Sequence, residues 1–273
     1  MASDATTTDS GPAPAVPALS PPELPAGKSA PHRFRFMFVY GALGAVLALA
    51  LVGVVIYAGR SISPAPAWSS WKPTGGGLGA AKQIAAHVGA TYRLPDGNQL
   101  LDPIPRGPAF SSNGQTIPIT FLALRGPKGK IDQVFQLSND NTFTYSMCGL
   151  GQFCSILTGK PSTERATLVN REILEIALYT FKYVPSAKYV VAFMPPPAGS
   201  QPTYAVYLQK SELTQQLKTP LDKTLSPHVP LPTTISPREQ QLVVGITQPR
   251  TYKFGLSQTQ QGDPVLVLAP LKA

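Results

Sequence analysis

From Phe36 to Gly59 the sequence runs FMFVYGALGAVLALALVGVVIYAG without a charged residue. As an α-helix this run is about 36 Å long, against a membrane hydrocarbon core of about 30 Å. It is apolar all round, whereas a helix on a soluble core shows a polar stripe. It is also longer than the apolar region of a signal peptide and stands behind a tail of 35 residues. Ala65-Pro66-Ala67 has the small residues of a cleavage site, but it comes late and contains a proline. Residues 36–59 are therefore expected to form one uncleaved transmembrane helix whose partner is the lipid bilayer. Tyr40 and Tyr57 suit headgroup depth. Gly41/Ala45 and Gly44/Ala48 are small-residue pairs that allow a homodimer through the span.

Lys28, Arg33 and Arg35 precede the span and Arg60 and Lys72 follow it. The positive-inside rule thus favours a cytoplasmic N-terminus, with the C-terminal part of the chain extracytoplasmic. Residues 1–35 are rich in Pro, Ala, Ser and Thr and cannot bury enough apolar surface to offset ordering entropy, so a disordered tail is expected. In that tail Asp4, Asp9 and Glu23 balance Lys28, Arg33 and Arg35, which leaves the whole net charge of +9 beyond the span. Residues 60–77, with Ser, Pro, Trp68, Trp71 and Gly75-Gly76-Gly77, read as a linker. Trp68 and Trp71 suit either the membrane interface or the first packing layer of the C-terminal domain.

Residues 78–273 are of ordinary size for one domain. Ala81, Ile84, Ala85 and Val88 have helical spacing, with Gly89 as a stop. A hairpin is expected with strands over Thr91 to Leu94 and Gln99 to Asp102, turned at Pro95-Asp96-Gly97-Asn98. Residues 117–124 read as a strand that Pro118 confines to an edge or an entry point. Residues 134–137 and 143–147 then continue as an antiparallel meander. Ser162 to Val184 is the most periodic segment: Val169, Ile173, Ile176, Ala177, Thr180 and Val184 share a face, which Leu174, Leu178 and Phe181 widen. Ser162 or Thr163 can cap it and Pro185 ends it. Residues 188–194 and 203–208 read as antiparallel strands, 211–217 and 237–244 as helical pieces, and 251–256 and 264–268 as closing strands. A short echo links Thr91-Tyr92-Arg93-Leu94 with Thr251-Tyr252-Lys253-Phe254, within the range of shared strand and turn chemistry. The expected class is α+β, a mainly antiparallel sheet packed against one long helix.

Cys148 and Cys154 are the only cysteines, with five residues between them, two of them glycine. That spacing closes a small loop, and in an oxidising compartment a disulfide is expected. Zinc would need two more ligands, and His32, His87 and His228 lack metal-type spacing. A thiol-redox pair has two residues between its cysteines. Gly159-Lys160-Pro161-Ser162 is no phosphate loop, because Cys154 stands where the first glycine belongs and Pro161 where a hydroxyl should meet magnesium. Glu172 and Glu175 are three apart on the long helix and would suit an acid/base pair, but with Arg165, Arg171 and Lys182 nearby they read as a solvated face. No serine lies in a nucleophile elbow. No catalytic residue, metal or cofactor is expected. Arg125, Lys128 and Lys130 form the densest basic cluster, on an expected hairpin tip, and are the candidate contacts for an anion or partner. Nucleic acid is not an expected partner, since no recognition motif accompanies the charge.

The run Arg171 to Val184, continuing through Val190-Val191-Ala192-Phe193-Met194-Pro195-Pro196, resembles segments in an uncharacterised family of actinobacterial single-span membrane proteins. The Cys148–Cys154 loop fits that likeness, which implies a bacterial cell membrane and brings no activity. The helix followed by a Val-rich strand is similar to the GerMN domain of sporulation and germination lipoproteins, although the span here carries no lipoprotein cysteine. The expectation is a membrane-anchored cell-envelope protein whose outer domain binds or scaffolds an envelope protein or an anionic wall polymer. The alternatives are an envelope enzyme with a dispersed active site and a transmembrane sensor.

Overall fold

The computed structural model describes residues 33–59, 67–112, 115–159 and 161–271. Of the tail expected to be disordered over 1–35, residues 1–32 lie outside them, as do the start of the linker at 60–66 and Lys160, whereas Arg33 to Arg35 already belong to a helix. The chain divides into two compact units, 1–64 and 65–273. In the first, α1 (Arg33–Gly59) is a single helix. Its segment Arg35–Ile56 is long and apolar enough to cross a membrane.

The second unit is a mixed α+β fold. Its strands are β1 (Asp102–Arg106), β2 (Ala109–Ser112), β3 (Gln115–Pro118), β4 (Phe121–Arg125), β5 (Ile131–Gln136), β6 (Thr142–Cys148), β7 (Tyr189–Phe193), β8 (Tyr204–Gln209), β9 (Thr251–Gln258) and β10 (Pro264–Pro270). Eight of them form one sheet in the order β1-β6-β7-β8-β9-β10-β4-β5, and β2 pairs with β3 in a separate hairpin. The large sheet is mainly antiparallel; β6/β7 and β10/β4 are its parallel pairs. Between the strands lie α2 (Gly77–Gly89), α3 (Thr163–Tyr183), α4 (Thr214–Lys218), α5 (Leu221–Thr224) and α6 (Pro237–Thr247).

The parallel β6/β7 pair follows from α3. Parallel neighbours need a crossover, and the 21-residue helix supplies it. Its N-terminus is capped by Ser162, whose hydroxyl accepts from the Arg165 N–H at 3.2 Å. The expected apolar face, Val169 through Phe181, is buried. A 2.7 Å hydrogen bond between the hydroxyls of Thr180 and Tyr145 ties the helix to β6. α3 does not cover the sheet by itself: residues of α2 and α6 join the same core, including Ile84, Val88 and Val243. Gly89 closes α2 where its backbone meets β1, since a Cβ there would lie 2.7 Å from Cδ of Pro103.

β7 and β8 are buried on both faces. Val190, Ala192, Val206 and Leu208 face the helices, while Val191, Phe193, Ala205 and Tyr207 face a second core with Phe110, Leu122, Leu266 and Leu268. The sheet coils strongly. Phe135 of edge strand β5 lies 5.4 Å from the Tyr189 ring on β7 and 6.0 Å from Tyr207 on β8, although β5 and β8 stand far apart in the ladder.

Three local expectations are corrected. The first hairpin is a single Arg93–Gln99 bridge around the expected turn, in which Gly97 takes φ +82° and its N–H donates to the Leu94 carbonyl. The echo with β9 therefore has no structural counterpart. Residues 117–124 are two strands, because Pro118 ends β3 and the chain restarts at Phe121. Strands 134–137 and 143–147 are not meander neighbours. Exposed β5 is one edge of the sheet, whereas β6, buried along almost its whole length, lies between β1 and β7 at the other end. Alternation reports which face is buried and is silent on which strand pairs with which.

Candidate functional site

The long helix carries a charged cluster inside the protein. Arg171 and Glu172, expected on a solvated face, are completely buried, and Arg165 is nearly so. The sequence periodicity marks only the stripe toward the sheet. With α2 on one flank and α6 on another, the sides of α3 are covered as well.

Arg171 is the centre of the cluster. Its Nε donates to Glu239 Oε1 at 2.7 Å, one terminal nitrogen donates to Glu175 Oε2 at 3.1 Å and to the Tyr92 hydroxyl, and the other donates to the Ser226 carbonyl at 2.7 Å. Tyr92 donates to Glu175 Oε2 at 2.6 Å. Glu239 comes from the first turn of α6, which Ser236 caps, and its carboxylate also accepts the Ser226 N–H at 2.9 Å. One guanidinium thus joins α3, α6, the turn after α2 and the loop after α5. Burial by itself would lower the Arg171 pKa, but Tyr92, Glu175 and Glu239 outweigh it and hold the pKa above the ordinary value.

The two carboxyls expected as a pair have different settings. Glu172 is shut in, and neither of its oxygens has a hydrogen-bond partner among the described residues. Burial first, then repulsion from Glu175 and Asp102, pushes its pKa well above the usual carboxylate range, against a smaller pull from Arg171. Glu175 is also raised by burial, against the pull of Arg171 and Tyr92. Its side chain remains 14 % exposed, and through it the buried cluster meets a cleft.

That cleft measures about 850 Å³. Trp68, His87 and Tyr179 give it aromatic walls, Ser69, Thr91 and Ser226 contribute polar groups, and Asp222, Lys223 and His228 stand at its margin. Trp68 packs edge-on against Tyr179 at 5.4 Å, with Lys182 over its face at 5.5 Å. Trp71 stacks on His87 at 3.9 Å, and burial lowers the His87 pKa. Trp68 and Trp71 therefore belong to the packed domain. The catalytic-type side chains of the cleft are not paired with one another: Glu175 bonds Tyr92 and Arg171, and His87 stacks on Trp71.

The remaining residues singled out from sequence lie elsewhere. Cys148 and Cys154 form a disulfide that closes the loop after β6. Arg125 ends β4, and Lys128 and Lys130 occupy the turn to β5; all three are exposed, and none forms an ion pair among the described residues. No group of three His, Cys, Asp or Glu among the described residues is placed to hold a metal ion. Tyr92, Ser226 and Glu239 escaped sequence reasoning. The one available signal was the spacing of Arg171 and Glu175, four apart on a helix, which is an ion-pair spacing as much as a solvated one.

The fold and cleft define a class, a mixed α+β domain with an aromatic cleft over a buried charge cluster, in a chain that also carries an apolar N-terminal helix. Comparison with family models, curated proteins and solved structures finds no match for the chain, so the cleft is judged by its own chemistry.

Proposed function

We propose that this chain is a single-pass bacterial cell-membrane protein, anchored by residues 36–59 with its N-terminus cytoplasmic. Its α+β domain then binds a segment of an envelope protein or wall polymer outside the cell, without catalysis of its own. The cleft carries this reading. It is large enough for a ligand segment, its walls are aromatic and hydroxyl-bearing, and its charged floor spends its hydrogen bonds on holding a shape. The apolar α1 supports the anchor, and the cysteine pair suits an oxidising compartment.

The test is in-cell crosslinking and mass spectrometry with full-length protein as bait, against a control carrying only residues 1–66. A third bait carries Thr91→Trp, an exposed position that fills the cleft mouth. Capture of one envelope component by the full-length bait, lost in Thr91→Trp, is the expected result. Equal capture by Thr91→Trp would remove the cleft from the binding reading.

A second reading rests on Glu175. A carboxyl with a raised pKa, partly open to a cleft that also holds His87 and His228, suits a general acid. Turnover of a wall fragment that Glu175→Gln abolishes while binding persists would replace the first reading with this one.

A further inference from the structure

A second pocket, sharing no residue with the cleft, lies beside the ends of β6 and β7 and measures about 340 Å³. Its lining is mostly apolar: Ile104, Phe110, Met147, Phe153, Phe193 and Met194. One charged residue enters it, Arg106, the last residue of β1. The Arg106 Nε is shielded from solvent and has no hydrogen-bond partner, and Arg106 forms no ion pair among the described residues. No Asp or Glu among the described residues lines the pocket. A shielded guanidinium nitrogen without an acceptor is unfavourable, and an anion placed in the pocket relieves it.

The disulfide-closed loop forms one wall. Leu150, Phe153 and Cys154 have φ of +68°, +55° and +60°, a region costing non-glycine residues about 1–3 kcal/mol each, and such conformations cluster at ligand clamps. They hold the Phe153 ring at the pocket while leaving it 47 % exposed, and on the same loop and its return Leu150 is 44 % and Leu157 64 % exposed. Of these side chains Phe153 lines the pocket, and an apolar lining with a lone cation complements an amphiphile.

We infer that this pocket binds an acyl chain with an anionic head, the chain among Ile104, Phe110, Phe153 and Phe193 and the carboxylate or phosphate on Arg106. The volume suits a single medium-length chain, at the small end of ligand sites. Either a free fatty acid or a monoacyl phosphate satisfies this chemistry, and head-group competition separates them.

The experiment uses the full chain in phosphatidylcholine nanodiscs with a decanoic acid carrying a diazirine, photolysed and mapped by mass spectrometry. Adducts are expected on peptides containing Met147, Phe153 or Met194, displaced by decanoate or decyl phosphate but not by decylammonium. A tenfold advantage of either anion names the head group. Arg106→Gln is expected to lower labelling at least tenfold. Ser146→Trp, which fills the pocket with Arg106 intact, is expected to do the same, so a folding defect in one variant leaves the other to decide. Disulfide formation reports folding in both. Undiminished labelling in either folded variant, equal displacement by decylammonium, or adducts confined to residues 33–59 would overturn the site.

Discussion

Arg171 is the residue on which the helical layer depends. It is buried with two carboxylates, a phenol and a carbonyl bound to it, and removing it leaves Glu175 and Glu239 without their cation in a medium that solvates charge poorly. Arg171→Met is expected to destabilise the domain by about 3–5 kcal/mol in denaturant unfolding. Glu172 is the opposite case, a buried acid without a partner. Because its folded pKa is raised, the folded state keeps a proton that the unfolded chain loses as pH rises past the ordinary glutamate range. Its contribution to stability therefore falls with rising pH over that window. Glu172→Gln removes this dependence. The gain in melting temperature of this variant over wild type is expected to be larger at pH 8 than at pH 5, and a constant difference between the two pH values would refute the assignment.

At the scale of elements, α3 and the loop before it carry most of the organisation. The helix is the crossover that makes β6 and β7 parallel, and it holds the charge cluster beside the cleft. The loop from Cys148 to Cys154 is a tight structure in which a Cβ on Gly149 or Gly151 would meet the Ser155 carbonyl oxygen at 2.6 or 2.8 Å. Its crosslink should stabilise by about 2 kcal/mol through the unfolded state. The Cys148→Ser/Cys154→Ser double variant is expected to lose about that much in denaturant titration. Thiol alkylation of the wild type should label only after reduction; free thiols in oxidised membranes would sink the bridge and, with it, support for an oxidising compartment.

For the whole molecule, the division into units 1–64 and 65–273 has an energetic meaning. The second unit has helical and strand layers around its own two cores, with Trp68 already packed into one of them. A chain starting at residue 65 is expected to fold, with a melting temperature within a few degrees of the full protein. A chain starting at residue 78 would lack Trp68 and Trp71, the aromatic edge of the cleft, and should melt lower. Carbonate extraction checks the anchor: full-length protein is expected to stay with membranes and the shorter chains to be released.

Composition and periodicity determined the apolar run of α1, the α+β class, the apolar face of α3, the turn at Gly97 and the pairing of the only two cysteines. Each is a local matter, settled by neighbours within a few positions or by the absence of any other partner. Tertiary structure decided the rest. Whether β6 lies beside β5 or β1, and whether Arg171 meets water or Glu239, depends on segments dozens of residues away. Burial of a polar helix flank leaves no period in the sequence, because the same Arg and Glu at four-residue spacing suit a solvated face and an interior ion pair alike. The cleft and the Arg106 pocket exist only once α2, α3, β1 and the disulfide loop are brought together, and so does any chemistry they perform.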